Sequence, residues 1–166
     1  KVAYDPKTGR SKGDVFAWFP GLDMVIRGNF AYVLTPAGLY AIDRKVHADA
    51  LEKVGVSTTT CEELGKELVQ LREGIAKADA DGQAKIRLRI DEVTRLVAGH
   101  LAEEQRLQKS CCTWHLPTLQ CSSLILAGET LFVGGSNRVL GVDARAGTRV
   151  WQAGIAGNAV GLAAGS

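Results

Sequence analysis

The strongest constraint on the fold of this chain is a strand-like sequence that occurs twice, 100 residues apart. GNFAYV begins at Gly28 and GETLFV at Gly128, and the two copies stay in register until Asp43 and Asp143. Apolar residues alternate with others in each copy, and turn-forming residues follow at 35–38 and 134–137. Repetition of short strands and turns predicts a β-sheet array built from similar units.

A very different sequence separates the two copies. All ten aromatic residues lie from Tyr4 to Tyr40 or from Trp114 to Trp151, whereas residues 61–109 carry 10 acidic and 9 basic residues. Apolar residues recur there at helical spacing on both sides of the break at 79–82. We therefore expect three segments: β structure over 1–45, a helical-hairpin insertion over 46–110, and β structure over 111–166.

Within the insertion, the Thr60 to Glu63 segment has the pattern of a capping box, which predicts a helix start there. A shorter helix is expected to precede it over 48–54. The helices on either side of the break would form an antiparallel hairpin about 30 Å long. Its charges are either a solvated surface or a docking element for a partner protein.

Composition excludes several classes of protein. Hydrophobic residues make up 46% of the chain and charged residues 23%, which is unlike an intrinsically disordered protein. No apolar run approaches the ~18 residues of a membrane span, and a net charge of +2 gives no basic excess for nucleic acid. The chain begins at Lys1 without a start methionine or signal pattern, and we expect it to be an internal segment.

The run from Thr130 to Trp151, TLFVGGSNRVLGVDARAGTRVW, resembles the repeat of PQQ-like (quinoprotein-type) β-propellers. In that family a four-stranded blade ends in an Asp-x-x-x-Gly turn and a docking Trp. The resemblance implies a mainly β fold, a partial propeller of about two four-stranded blades interrupted by the helical hairpin. It assigns structural, blade-docking roles to Trp114, Asp143, Gly147 and Trp151.

The cysteines are the side chains with the widest range of possible chemistry. The adjacent pair Cys111 and Cys112 resembles, in its position before a blade, a cysteine pair that lies against the cofactor in some PQQ-dependent alcohol dehydrogenases. A disulfide or redox pair, ordinary thiols, and a zinc site that includes His115 and Cys121 all remain open. A disulfide from Cys61 to this pair is a further alternative, whereas His47 and His100 are expected to be surface residues.

The resemblance implies a non-catalytic segment that acts as a protein-binding or assembly scaffold in the bacterial periplasm or envelope. Its partners would be another protein or the remaining blades of a propeller, with no nucleic acid and no membrane span. We expect no catalytic residue, cofactor or metal in this segment. The alternative is a fragment of a PQQ-dependent alcohol or sugar dehydrogenase, which would use PQQ with calcium.

Overall fold

The computed structural model describes residues 2–4, 11–14, 18–118 and 120–164. The chain divides into two compact units. One contains Lys1–Lys45 and Cys111–Ser166, and the other contains Val46–Ser110. We call them the sheet unit and the helical unit.

Over its described residues, the sheet unit holds nine strands in three antiparallel sheets. β1 (Val2–Tyr4) and β2 (Ser11–Asp14) form a two-stranded sheet. The first larger sheet has the order β3-β4-β5-β6, with β3 Asp23–Arg27, β4 Phe30–Thr35, β5 Gly38–Asp43 and β6 Cys112–Leu116. The second has the order β7-β8-β9, with β7 Cys121–Ala127, β8 Thr130–Asp143 and β9 Arg149–Asn158.

The first sheet is interrupted by the helical unit. β3, β4 and β5 follow one another, and the Thr35 hydroxyl stabilises the β4–β5 turn by accepting hydrogen bonds from the N–H groups of Ala37 and Gly38. β6 enters the same sheet after both helices and pairs with β5, with Ala41 opposite Trp114. The helices are therefore inserted between two neighbouring strands of one sheet.

In the second sheet, β8 doubles back on itself. The N–H of Ala144 donates to the carbonyl of Glu129 at 2.9 Å, which brings together the residues that flank this 14-residue strand. In a straight strand these two residues would lie about 50 Å apart. The reversal lies at Asn137, whose φ of 58° is a left-handed conformation that Asn tolerates.

The two larger sheets share one hydrophobic core. It combines Leu34 and Leu39 from the first sheet with Leu131, Val133 and Val142 from the second, all at most 1% exposed. Leu34 and Leu39 lie opposite each other in the β4–β5 ladder, and Leu131 and Val133 are two residues apart on β8, so these side chains share one face of each sheet. A hydrogen bond at 2.9 Å from the N–H of Leu124 to Asp23 Oδ2 also joins the sheets.

Two helices of 32 residues, α1 (Arg44–Ile75) and α2 (Ala80–Cys111), make up the rest of the fold. Each is about 48 Å long at 1.5 Å per residue, longer than the predicted 30 Å. The predicted helix start at Thr60 and the separate helix over 48–54 are wrong, because α1 is continuous through both. The hydroxyls of Thr58 and Thr59 donate to the carbonyls of Val54 and Gly55, four residues earlier, so α1 accommodates them.

The helices pack antiparallel. Ser57 Oγ lies 2.8 Å from Nδ1 of His100, and Arg89 Nε donates to Glu67 at 2.7 Å, so residues later in α1 meet residues earlier in α2. On α2, the positions facing α1 recur every three or four residues, as in a coiled coil. They include Val93, which is completely buried, and Leu107, which is 7% exposed.

The predicted fold class is wrong. The structure contains a four-stranded and a three-stranded antiparallel sheet, with no closed ring of blades among the described residues. It is a mixed α/β protein, not a mainly β one, because it contains two helices of 32 residues as well as the sheets. Neither helix, over the described residues, combines the length and the apolar character that a membrane crossing requires.

Candidate functional site

The turn that follows β8 joins the two larger sheets. Asp143 Oδ1 accepts hydrogen bonds from the N–H groups of Arg145, at 2.9 Å, and Ala146, at 2.6 Å. Gly147 completes the turn with φ 70° and donates its N–H to the Asp143 carbonyl at 2.9 Å. The Asp-x-x-x-Gly spacing predicts this turn, with its Asp side chain as acceptor and Gly in the left-handed region.

Trp114, from the first sheet, packs on that turn of the second sheet. Its Nε1–H donates to the carbonyl of Ala144 at 3.2 Å. A Cβ added to Gly147 would lie 2.7 Å from Cε3 of Trp114, so the indole ring fits against the turn only because residue 147 has no side chain. This contact brings together Trp114, Asp143 and Gly147, three of the residues to which the repeat assigns structural roles. We call it the Trp114 junction.

Trp151 lies elsewhere. It is on β9, opposite Gly141, and its ring is 6.1 Å from that of Phe132 at an interplanar angle of 70°. Alternation along the strands places both rings on the face of the second sheet that points away from the shared core. Trp151 remains 48% exposed.

The residues around Trp151 form an apolar surface. Ile125 lies opposite Phe132 in the β7–β8 ladder, and Val139 lies opposite Ala153 in the β8–β9 ladder. All four share the outward face with Trp151 and are only partly buried. We call this set of five residues the Trp151 surface. Sheets usually bury such a face against another layer, which makes this one a candidate contact surface.

A cavity of about 690 Å³ lies within the sheet unit, beside the Trp114 junction. One wall is aromatic, since Tyr32 lies 6.5 Å from Phe30 and 5.9 Å from Trp114, measured between ring centroids. At its rim, Arg27 donates to the carbonyl of Gly128 and forms an ion pair with Glu129. The sequence did not reveal this cavity, because Phe30 and Tyr32 alternate along β4 as ordinary core residues do.

Burial affects the one phenol at this cavity. It raises the pKa of Tyr32 above its ordinary value, an effect that the nearby Arg27 guanidinium partly offsets. Tyr32 is therefore a neutral hydroxyl at physiological pH, able to donate or accept a hydrogen bond.

All four cysteines are thiols, so the predicted disulfide alternatives do not hold among the described residues. Cys111 ends α2 and is fully buried, whereas Cys112 begins β6 and donates its S–H to the carbonyl of Trp114 at 3.2 Å. Burial raises the pKa of the Cys112 thiol, which keeps it protonated and weakly nucleophilic at neutral pH.

The zinc alternative is also wrong for the described part of the chain, where no three His, Cys, Asp or Glu side chains converge as metal ligands. His115, one of the proposed ligands, instead stacks on Tyr40, with ring centroids 4.1 Å apart.

The two remaining histidines are less exposed than predicted. His47, in the first turns of α1, is 3% exposed, and burial lowers its pKa below the ordinary value. His100 is half-buried at the contact with Ser57 between the two helices. Both histidines therefore contribute to the packing of the helical unit or its first turns, and the sequence pattern alone did not show their burial.

No protein-family model matches this chain, and neither a curated protein nor a solved structure is significantly similar to it. The resemblance to the PQQ-like repeat therefore depends on the repeat residues themselves.

Proposed function

We propose that this chain is a non-catalytic protein-binding or assembly scaffold, and that the Trp151 surface is a docking site for a protein partner. The observation that carries the proposal is the half-exposed Trp151 ring on an apolar sheet face. Aromatic side chains of this size contribute much of the binding free energy at protein interfaces.

The Trp114 junction indicates what kind of structure would cover Trp151 in a partner. Trp114 and Trp151 are 37 residues apart in the repeated sequence, and each lies on the last strand of its sheet. Trp114 is covered by a tight turn that offers the Ala144 carbonyl and the side-chain-free Gly147. By analogy, the partner of Trp151 presents a tight turn with a Gly at the point of contact and a backbone carbonyl for the indole N–H.

The experiment is site-specific photocrosslinking in cells that express the full protein. A photoreactive phenylalanine analogue replaces Trp151 in one variant and Gln152 in a matched control. Gln152 is also exposed on β9 but points to the opposite face by strand alternation. We expect a discrete adduct at 151 that is absent at 152, is lost when Phe132→Asp is added, and maps to a Gly-containing turn of the partner.

Three results would contradict the proposal: no adduct at 151, equal adducts at both positions, or crosslinks to peptides without such a turn. The dehydrogenase alternative has its own readout. Dye-linked alcohol or sugar oxidation after addition of PQQ and Ca²⁺ would replace the scaffold proposal with an enzymatic one.

The helical unit is the second element of the scaffold proposal. A coiled-coil hairpin exposes long helix faces to partners, and α2 exposes Leu88, which is 70% accessible. The same crosslinker at position 88 tests whether the hairpin contacts a protein.

A further inference from the structure

The face of α2 that points away from α1 has an unusual composition. Leu88 lies five residues before the buried Val93, about 140° from it around the helix axis. Solvent-facing positions of a coiled coil are ordinarily polar, yet Leu88 is 70% exposed and Leu96, at the shoulder of this face, is 45% exposed. We call the set Leu88, Glu92, Arg95, Leu96 and Gly99 the outer face of α2.

The outer face has the shape to receive another helix. Leu88, Glu92, Arg95 and Leu96 line a shallow depression of about 550 Å³. Gly99 belongs to the same stripe, and a Cβ built on it meets no atom within 4 Å. A second helix therefore finds apolar contacts at Leu88 and Leu96 and close backbone access at Gly99.

The charges along α2 indicate which helix would pack on the outer face, namely a second copy of α2. If a second α2 packs antiparallel, with the two-fold axis between Val93 and Thr94, Glu92 faces Arg95 of the second copy. Asp81 then faces Arg106 of the second copy, and Lys85 lies beside its Glu103. The charged residues that lie directly opposite one another in this register are therefore of opposite sign. A parallel pairing would instead set each charge beside its own equivalent.

Leucine packing agrees with this register. Leu88 of one copy lies over Gly99 of the other, where the missing side chain leaves room, and Leu96 flanks it. Three of these charged groups are already bound within their own helix: Glu92 pairs with Arg89 at 2.9 Å, and Glu103 pairs with Arg106 at 2.6 Å. Exposed ion pairs of this kind contribute little stability, so exchanging or sharing their partners costs little.

We propose that the outer face of α2 is a self-association surface on which a second copy of the chain packs its own α2 antiparallel. This inference goes beyond the proposed function and does not depend on the Trp151 surface. The resulting dimer would present two sheet units, each with its own Trp151 surface.

The test is sedimentation equilibrium of the full protein over a range of concentrations, with helix content checked by circular dichroism. We expect a monomer–dimer equilibrium that weakens at high salt. Leu88→Ser should raise the dissociation constant at least about tenfold, since it removes the central apolar contact from both copies. Leu101→Ser is the matched control, because Leu101 is 51% exposed on the same helix but outside the outer face.

Charge reversal tests the register. Glu92→Arg and Arg95→Glu should each weaken the homodimer, because each places two like charges opposite one another. Mixing the two single variants should restore association as a heterodimer, since every reversed residue then faces an opposite charge. The double variant Glu92→Arg/Arg95→Glu should likewise recover the homodimer.

Several outcomes would overturn the inference. They are a monomer at all concentrations, equal weakening by Leu88→Ser and Leu101→Ser, or no recovery in the mixture and the double variant. Dissociation by Trp151→Asp but not by Leu88→Ser would assign the association to the sheet unit and would support the Trp151 surface instead.

Discussion

The two copies of the repeated sequence fold alike up to their final Asp and then diverge. In both, the residue after the Asp donates its N–H to the residue before the strand, Arg44 to Asn29 at 2.8 Å and Ala144 to Glu129 at 2.9 Å. In both, the Asp side chain also accepts from the N–H two residues ahead, at 2.9 Å. After Asp43 the chain becomes α1, whereas after Asp143 it closes a tight turn.

The residue four positions after each Asp accounts for the difference. In the second copy it is Gly147, which adopts φ 70° and ends the turn. In the first copy the equivalent residue is His47, which has a side chain and continues as helix. Asp43 therefore serves as the helix N-cap of α1, whereas the same side chain at Asp143 stabilises a turn.

The largest effect is expected where the turn meets Trp114. Gly147→Ala introduces strain at a positive φ and a methyl group 2.7 Å from Cε3 of Trp114. We expect a loss of about 2–5 kcal/mol in the free energy of unfolding, the sum of backbone strain and overpacking. Urea titration followed by tryptophan fluorescence measures it, because all three Trp residues lie outside the helical unit.

Gly128→Ala is the matched control. Gly128 has φ 57°, but an added Cβ meets nothing within 4 Å, so only the strain of about 1–2 kcal/mol applies. Equal losses in the two variants would show that contact with Trp114 does not constrain the turn.

Removing the Asp side chain should destabilise each copy by a smaller amount than Gly147→Ala, and in a different part of the molecule. Asp143→Ala deprives two backbone N–H groups of an acceptor, which we expect to cost about 1–2 kcal/mol, seen in tryptophan fluorescence. Asp43→Ala removes a helix cap, which we expect to cost about 1 kcal/mol, seen in the helical circular dichroism signal.

The corresponding Asn variants should retain most of this stability, because Asn offers a side-chain oxygen at the same position. If both Ala variants change the same signal by the same amount, the two Asp residues do not have the distinct roles assigned to them.

The smallest expected effect is a pH dependence of stability, and it arises only in the first copy, at His47. Burial lowers the pKa of His47 in the folded protein, so the unfolded chain takes up this proton first, near pH 6.5. The associated stability is complete above about pH 6.5 and is lost as the pH falls from there through the lower, folded-state pKa.

Thermal unfolding at pH 7.5 and 5.0 checks this expectation. The wild-type protein should lose more stability between these values than His47→Gln, which cannot take up the proton. Carboxylates that titrate at lower pH are common to both proteins and cancel in the comparison. An identical pH dependence in the two proteins would contradict the role of His47.

The sequence predicted the strand-rich segments, the antiparallel helix pair and the Asp143–Gly147 turn, because each depends on local periodicity or on a few adjacent residues. It did not predict that α1 runs unbroken through Thr60. A capping box favours a helix start in isolation, but a helix already nucleated at Asp43 and packed against α2 continues through it. The cavity beside Trp114 was also missed, because its wall is assembled from β4 and β6, whose residues lie about 80 positions apart.

By itself, the sequence determined which parts of the chain are rich in strands or helices, though not where α1 begins, and where the chain reverses at Gly147. Those outcomes depend on backbone conformation and on the alternation of apolar residues. Only the tertiary structure decided that β6 pairs with β5 across the helical insertion, that Trp114 is covered while its repeat counterpart Trp151 is half exposed, and that the cysteines remain separate thiols. These features depend on contacts between distant residues, and the free energy of such contacts comes from the whole packed unit rather than from any local pattern.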